Sequence, residues 1–184
     1  MCVKFLLQVT CLALMVCSPT TTMAAQKMYL VIDGVTGESN DAGYQNAIEV
    51  LAWSWSASNS GTTHLSSGGG AGASNFEDLS ITKWVDTSSP ILLAKIATGS
   101  LINSADLIVV REGTNPVEYF RLNLTNVIVS SLSTGGSVDG NRLTENISLN
   151  FAQFEVIYVP LNADGTAAAS PFNYGWDIPA NTGL

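Results

Sequence analysis

The strongest constraint on the fold is an alternation near the C-terminal end of the chain. Across residues 142–160, Ile147, Leu149 and Phe151 alternate with Ser148 and Asn150. The parity then changes at Ala152 and Gln153, and Phe154, Val156 and Tyr158 continue the apolar face. A period of two over so long a stretch is the pattern of a half-buried strand, because successive side chains point to opposite faces of a sheet. The change of parity predicts a β-bulge or a strand crossing between sheets. Residues 116–132 read as a second long strand, joined to the first by turn residues at 134–140. Shorter strands are expected at residues 28–32, 48–57, 76–85 and 107–111. In the 48–57 segment Leu51, Trp53, Trp55 and Ala57 fall on one face by strict alternation. One helix is predicted, with Ser89 as N-cap, Pro90 as first helical residue, an apolar body at 91–97 and Gly99 as the left-handed stop. Strands outnumber helices with no regular βαβ alternation, so the residues point to a small antiparallel barrel or sandwich. No internal repeat of fixed period is evident.

Composition narrows the partners. Charged residues are 12% of the 184, with seven basic against 15 acidic and a net charge of −8. A sparse acidic surface lacks the clustered Lys and Arg that phosphate backbones require, which argues against nucleic acid. Hydrophobic content of 46% argues against disorder.

The N-terminal 25 residues form a separate unit. Lys4 precedes an apolar run at 5–16, followed by Ser18, Pro19, three threonines and Met23-Ala24-Ala25. That order is the pattern of a secretory signal peptide, and the run is too short for an ordinary membrane-spanning helix. Cleavage after Ala24 or Ala25 removes Cys2, Cys11 and Cys17, all the cysteines in the chain. A mature chain of 26–184 then offers no thiolate for a disulfide, zinc site or nucleophile, and no membrane segment. The competing reading is an extension upstream of a cytoplasmic start at Met23. Bulky Val16 before Cys17 disfavours a lipidation site.

Candidate catalytic motifs are weak. Gly68, Gly70 and Ala73 fit the dinucleotide fingerprint, but a strand rather than a helix is expected after them. His64, the single histidine, cannot build a multi-histidine metal site and has no G-x-S-x-G serine to serve. A hydrolase built on His64 is therefore the weakest function considered. Glu77 and Asp78 point to opposite strand faces, and Glu112 with Glu118 reads as isolated solvated acids rather than a glycosidase pair. The sequons at Asn123 and Asn146 lie inside predicted strands. Trp53 and Trp55 read as core or interface before sugar platform. No cofactor is expected.

The order of several segments closely resembles the haemolysin-coregulated protein (Hcp) family, the tube protein of bacterial type VI secretion. The match runs from about Met28 to Asp177. It includes Glu49-Val50-Leu51-Ala52-Trp53-Ser54-Trp55, the glycine-rich loop, Asp78-Leu79-Ser80-Ile81-Thr82-Lys83, Val117-Glu118-Tyr119 and Tyr174-Gly175-Trp176-Asp177. Its strongest stretch is Arg142-Leu143-Thr144-Glu145-Asn146-Ile147-Ser148-Leu149-Asn150-Phe151-Ala152. The resemblance implies a mainly-β chain, a small antiparallel β-barrel of two sheets with one α-helix packed at its side. It implies a homohexameric ring, stacking of rings into a hollow tube, a spike protein, a contractile sheath and small effectors carried in the lumen. It implies a non-enzymatic protein, with no toxin domain expected in the seven residues after Asp177. By resemblance the ring-stacking loop comprises Gly61, Thr62, Thr63, His64, Leu65, Gly68, Gly69, Gly70 and Gly72. Two departures stand out. Glu112 follows Arg111 where many relatives carry lysine, and tube subunits are exported without a cleaved signal. A real signal points to a secreted ring or binding module that passes through the periplasm, independent of the contractile apparatus. An upstream extension points to an ordinary subunit, cytoplasmic until it is fired out of the cell.

Overall fold

The computed structural model describes residues 25–61, 74–138, 140 and 142–184. Six antiparallel strands close into a barrel. They are β1 (Gln26–Ile32), β2 (Ile48–Ser54), β5 (Leu79–Trp84), β6 (Ile102–Arg111), β7 (Val117–Gly135) and β8 (Thr144–Tyr158). The order is β8-β5-β2-β1-β6-β7, and β7 pairs back onto β8 to close the ring. Two further strands, β9 (Phe172–Asp177) and β10 (Thr182–Gly183), extend the sheet outward from β8. A separate two-stranded arm pairs β3 (Ala57–Asn59) with β4 (Ser74–Phe76). The barrel with one side-packed helix expected from the family resemblance is therefore the observed architecture, in an eight-stranded and a two-stranded sheet. A six-stranded barrel is narrow enough for side chains to fill. Leu30, Ile48, Leu79, Ile81, Leu107, Leu122, Leu124, Ile147 and Leu149 are all essentially inaccessible and form that filling.

The long hairpin β7–β8 carries the apolar alternation of residues 147–158. Residues 144–149 of β8 pair with β5, whereas 153–158 pair with β9, and β7 lies along the other side throughout. The parity change at Ala152 and Gln153 is thus where β8 passes from the barrel to the outer extension. Opposite Ala152, Asn126 of β7 takes a left-handed φ of 55°. Leu124 and Val127 on either side of it both point into the core. Both strands therefore change face together and the register is kept. A bulge between Val129 and Ser131 then shifts the register of β7 against β8.

Two local expectations are corrected. In β2 a bulge between Val50 and Ala52 breaks the strict alternation. Leu51 consequently faces outward at 37% exposure, while Trp53 and Trp55 pack on the core. The helix α1 (Ser88–Thr98) begins earlier than predicted, with Thr87 at the N-cap rather than Ser89. Asp86 is the cause. Its carboxylate accepts the Ser88 N–H at 2.9 Å and the Ser88 hydroxyl, and the Ser89 hydroxyl accepts the Asp86 N–H at 3.1 Å. Pro90 still falls in the first turn, where its missing N–H costs nothing. Gly99 ends the helix at φ 61°, with N–H bonds from Gly99 to the Ile96 carbonyl and from Ser100 to the Lys95 carbonyl. Leu92 is the buried contact of the helix, and Ile91 and Ile96 pack partly against the core.

Candidate assembly surfaces

The arm grows directly out of the barrel core. Trp55 stacks on Phe76 at 6.3 Å and meets Phe151 and Phe154 edge-on at 6.0 and 4.8 Å. Its indole N–H donates to the Glu77 carbonyl at 3.0 Å, and the Glu77 N–H donates to Ser56. The tryptophans thus have a core role, Trp53 stacking on Phe120 at 5.2 Å. Past this anchor, every residue of β3 is exposed. Of the proposed stacking-loop residues, Gly61 alone is described, and its N–H donates to the Asn59 side chain at 2.8 Å. Thr62, Thr63, His64, Leu65, Gly68, Gly69, Gly70 and Gly72 lie outside the described residues, as do Ala73 and Ala24. Strand β4 begins at Ser74, which denies the dinucleotide fingerprint its helix. Ala25 accepts the Glu112 N–H at 2.8 Å just before β1.

The outer face of β1, β6 and β7 is covered by a strap at residues 39–47. Tyr44 of the strap stacks on Tyr29 of β1, with ring centroids 4.4 Å apart, and Ala47, Ile108 and Val110 complete this small outer cluster. Asp41 accepts hydrogen bonds from Lys27 at 3.0 Å and Tyr29 at 2.9 Å, and Lys27 also reaches Glu112 at 2.7 Å. The Tyr44 hydroxyl donates to Glu118 at 3.1 Å. Arg121 grips Glu118 with two bonds, at 2.6 and 2.8 Å, and lies 3.4 Å from Asp106. The Arg121 hydrogen bonds hold the Glu118 carboxyl below its ordinary value. Burial pushes Asp106 up, against the pull of Arg121, and pushes the Tyr44 phenol up to about 12. Glu112 and Glu118 are thus structural partners in ion pairs. The acid pair Glu77 and Asp78 serves local bonds as well, from Asn75 to Glu77 and from Ser130 and Asn150 to Asp78. Asn146 accepts from Thr82 and Asn123 donates to Glu155, so both sequon asparagines are engaged across strands.

Sequence reading missed one cluster. Lys83 is fully buried, its ammonium donating to Glu145 at 2.6 Å, the Trp84 carbonyl at 2.7 Å and Asp86 at 2.8 Å. Ser89 donates to the same Glu145 oxygen at 2.7 Å. The signal was present: Lys83 stands two residues after Ile81 and four after Leu79, on the inward parity of its strand. The cluster ties the start of α1 to β5 and β8.

Among the described residues no three His, Cys, Asp or Glu side chains gather to hold a metal ion, and no helix is long and apolar enough to cross a membrane. Two open depressions lie beside the strap, one between β1 and β2 and one between the strap and the segment carrying Glu112 and Pro116.

Comparison with known proteins agrees with this geometry. Residues 29–158 match the family described as "Type VI secretion system effector, Hcp". The chain is 47% identical over 158 residues to Protein hcp1 of Pseudomonas aeruginosa, covering 85% of this chain and 98% of that one. A solved structure titled as a type six secretion system protein superposes with a TM-score of 0.82 at 28% identity, over 87% of this chain and all of the other. The crystal structure of Hcp1 from Salmonella typhimurium gives a TM-score of 0.70 at 30% identity, over 88% of this chain and all of that one. The chain is a member of the Hcp family of type VI secretion proteins.

Proposed function

We propose that this protein is a structural subunit of a type VI secretion tube. Six copies form a ring, rings stack into a hollow tube, and small effector proteins ride in its lumen. A spike protein and a contractile sheath are the further partners of that assembly. The observation that carries the reading is the near-complete match to Hcp1 of Pseudomonas aeruginosa, in a family of secreted type VI proteins rather than enzymes. The strapped outer face and the projecting arm fit it, since both organise surface without organising a reaction. Stacking is assigned to the loop from Gly61 to Gly72, whose glycines permit close backbone approach on assembly. Purified protein is expected to give a hexamer by mass-resolved chromatography and rings by electron microscopy. A strict monomer at high concentration defeats the proposal.

A second reading is favoured by the N-terminal 25 residues. If they are cleaved as a signal, the product is a secreted ring or binding module that reaches the medium through the periplasm. Intact mass of the protein from its native host separates the two. A start at Ala25 or Gln26 supports signal cleavage, and a start at Met23 or Ala24 supports a cytoplasmic subunit. Export that continues after deletion of the contractile machinery supports the secreted module, and export that stops supports the tube.

A further inference from the structure

The sheet outgrows the barrel on one side. Strand β5 pairs with β8 over residues 144–149, and from residue 153 onward β9 takes its place. Register fixes which side chains share a face there. Phe154, Val156 and Tyr158 of β8 stand opposite Trp176, Tyr174 and Phe172 of β9. Directly paired residues project from the same face, so these side chains form one surface. Its inner end is core, since Phe154 is buried and Val156 and Trp176 pack against the same cluster. Its outer end is open: Tyr158 is 46% exposed, Phe172 66% and Tyr174 59%. Apolar side chains exposed singly need no explanation, but these three are neighbours. Tyr158 pairs with Phe172, and Tyr174 follows two residues later on the same face. The strand edge is open as well. Strand β10 meets β9 at Asp177 and Trp176. Among the described residues, the main chain of Phe172–Tyr174 therefore has no ladder partner on the side away from β8. An aromatic surface that ends in an unpaired edge is a liability that native proteins cover.

The chain itself supplies a cover. Residues 1–24 lie ahead of the described part, and the chain enters the fold at the same end of the sheet. The Ala25 carbonyl accepts the Glu112 N–H, and Gln26 pairs with Arg111. The Gln26 side chain accepts the Tyr119 hydroxyl at 2.8 Å, and the next residue, Phe120, pairs with Tyr158. From β1 through β6, β7 and β8 to β9 there are four strand steps, roughly 19 Å along the sheet at about 4.8 Å each. Residues 17–24 reach about 26 Å when extended, which brings the apolar run at 5–16 within range of the open face. Lys4 is the only charged side chain in residues 1–24. Burying the run desolvates no full charge and removes apolar surface from water on both sides. We propose that, in the chain that keeps them, residues 5–16 lie across Tyr158, Phe172 and Tyr174 and cover the open face and edge. Removal of the segment uncovers an aromatic surface, so the state of the N-terminus sets what the subunit presents. This goes beyond the tube reading and does not depend on it.

The test is disulfide trapping in the full chain, made cell-free so that residues 1–24 are retained. Cys11 lies inside the run, and the chain has no cysteine after Cys17. With Cys2 and Cys17 replaced by Ser, Cys11 is combined in turn with Phe172→Cys, with Tyr174→Cys and with Ser133→Cys at the far end of β7. All three positions are exposed, so the fold tolerates the changes. On mild oxidation the first two are expected to form an intramolecular disulfide in about tenfold higher yield than the Ser133→Cys control, because docking raises the local concentration. Amide exchange at Phe172–Tyr174 supplies the second readout. In the full chain it is expected to speed up about tenfold when Leu12→Asp and Leu14→Asp spoil the run. Equal yields at all three positions, or exchange that the two Asp substitutions leave unchanged, overturn the cover. Disulfides found only between chains assign the face to a second copy and overturn it too.

Discussion

Lys83 shows how one residue governs a junction. Its side chain is fully buried, and its ammonium is held by two carboxylates, a carbonyl and a hydroxyl. Removing one partner of such a cluster leaves charge stranded away from water, which costs about 3–5 kcal/mol. Lys83→Ala is therefore expected to lower the unfolding free energy read by urea titration by an amount in that range, and Lys83→Ala with Glu145→Leu to recover part of the loss. Equal damage in the single and double variants would show that the packing of the lysine stem, not the stranded Glu145, sets the cost. Glu118 offers a pH signature on the outer face. Its carboxyl is held below the ordinary 4.5 by the bonds from Arg121. Stability from this pairing is complete above that value and is lost as pH falls through the lower folded value. Asp106 acts in the opposite sense, since burial raises it. Its share is complete below the ordinary value of 3.8 and fades as pH rises through the raised one. Glu118→Gln is expected to remove the acid-side loss while Asp106→Asn leaves it in place, read from unfolding midpoints between pH 3 and 6, a window of roughly one carboxylate titration on either side. Persistence of the same acid-side slope in Glu118→Gln would assign that loss elsewhere.

At the scale of elements, the long hairpin was the most legible part of the chain and also holds the least legible residue. The period of two announced β7 and β8, and the parity slip announced the change of partner, because both are written in apolar spacing. The compensating residue, Asn126, carries no pattern of its own; asparagine is merely tolerant of left-handed backbone. Asn126→Val is expected to cost about 1–2 kcal/mol because a β-branched side chain resists that conformation, whereas Asn126→Gly should be close to neutral. A neutral Val variant would mean that the strands can realign without it. The bulge in β2 escaped sequence reading for a related reason: Leu51 is apolar, so the alternation runs through it unbroken in the sequence. The strap was hidden because it is built from turn residues, and only the fold brings Tyr44 onto Tyr29 and Glu118. Its closure depends on Gly37, where an added Cβ would lie 2.7 Å from the Ile48 Cα. Backbone cannot yield there cheaply, so Gly37→Ala is expected to loosen the strap and speed amide exchange at Ala47, whose N–H donates to Tyr44.

For the whole molecule, the closed barrel and side-packed helix came from family resemblance, while residue patterns alone left barrel and sandwich open. The choice between them lies in long-range pairings, β1 with β6 and β5 with β8, which no local pattern encodes. The low charge noted at the outset has a physical sequel. Lys27, Arg121 and Arg142 are each within 4.0 Å of an acid of the same chain, and Lys83 is buried. Few cations are left to meet the acids of another copy. The chain carries seven basic and 15 acidic residues, a net charge of −8. Copies therefore repel at long range, and contacts between them must come from main-chain ladders and apolar area. Salt screens the repulsion, with a Debye length falling from about 30 Å at 0.01 M to about 8 Å at 0.15 M, and leaves ladders and apolar contacts largely intact. Assembly is accordingly expected to strengthen as sodium chloride rises over that range, seen by sedimentation velocity as a shift toward rings and stacks at fixed protein concentration. Dissociation with added salt would mean that ion pairs between copies dominate, and would place the exposed acids at the contacts.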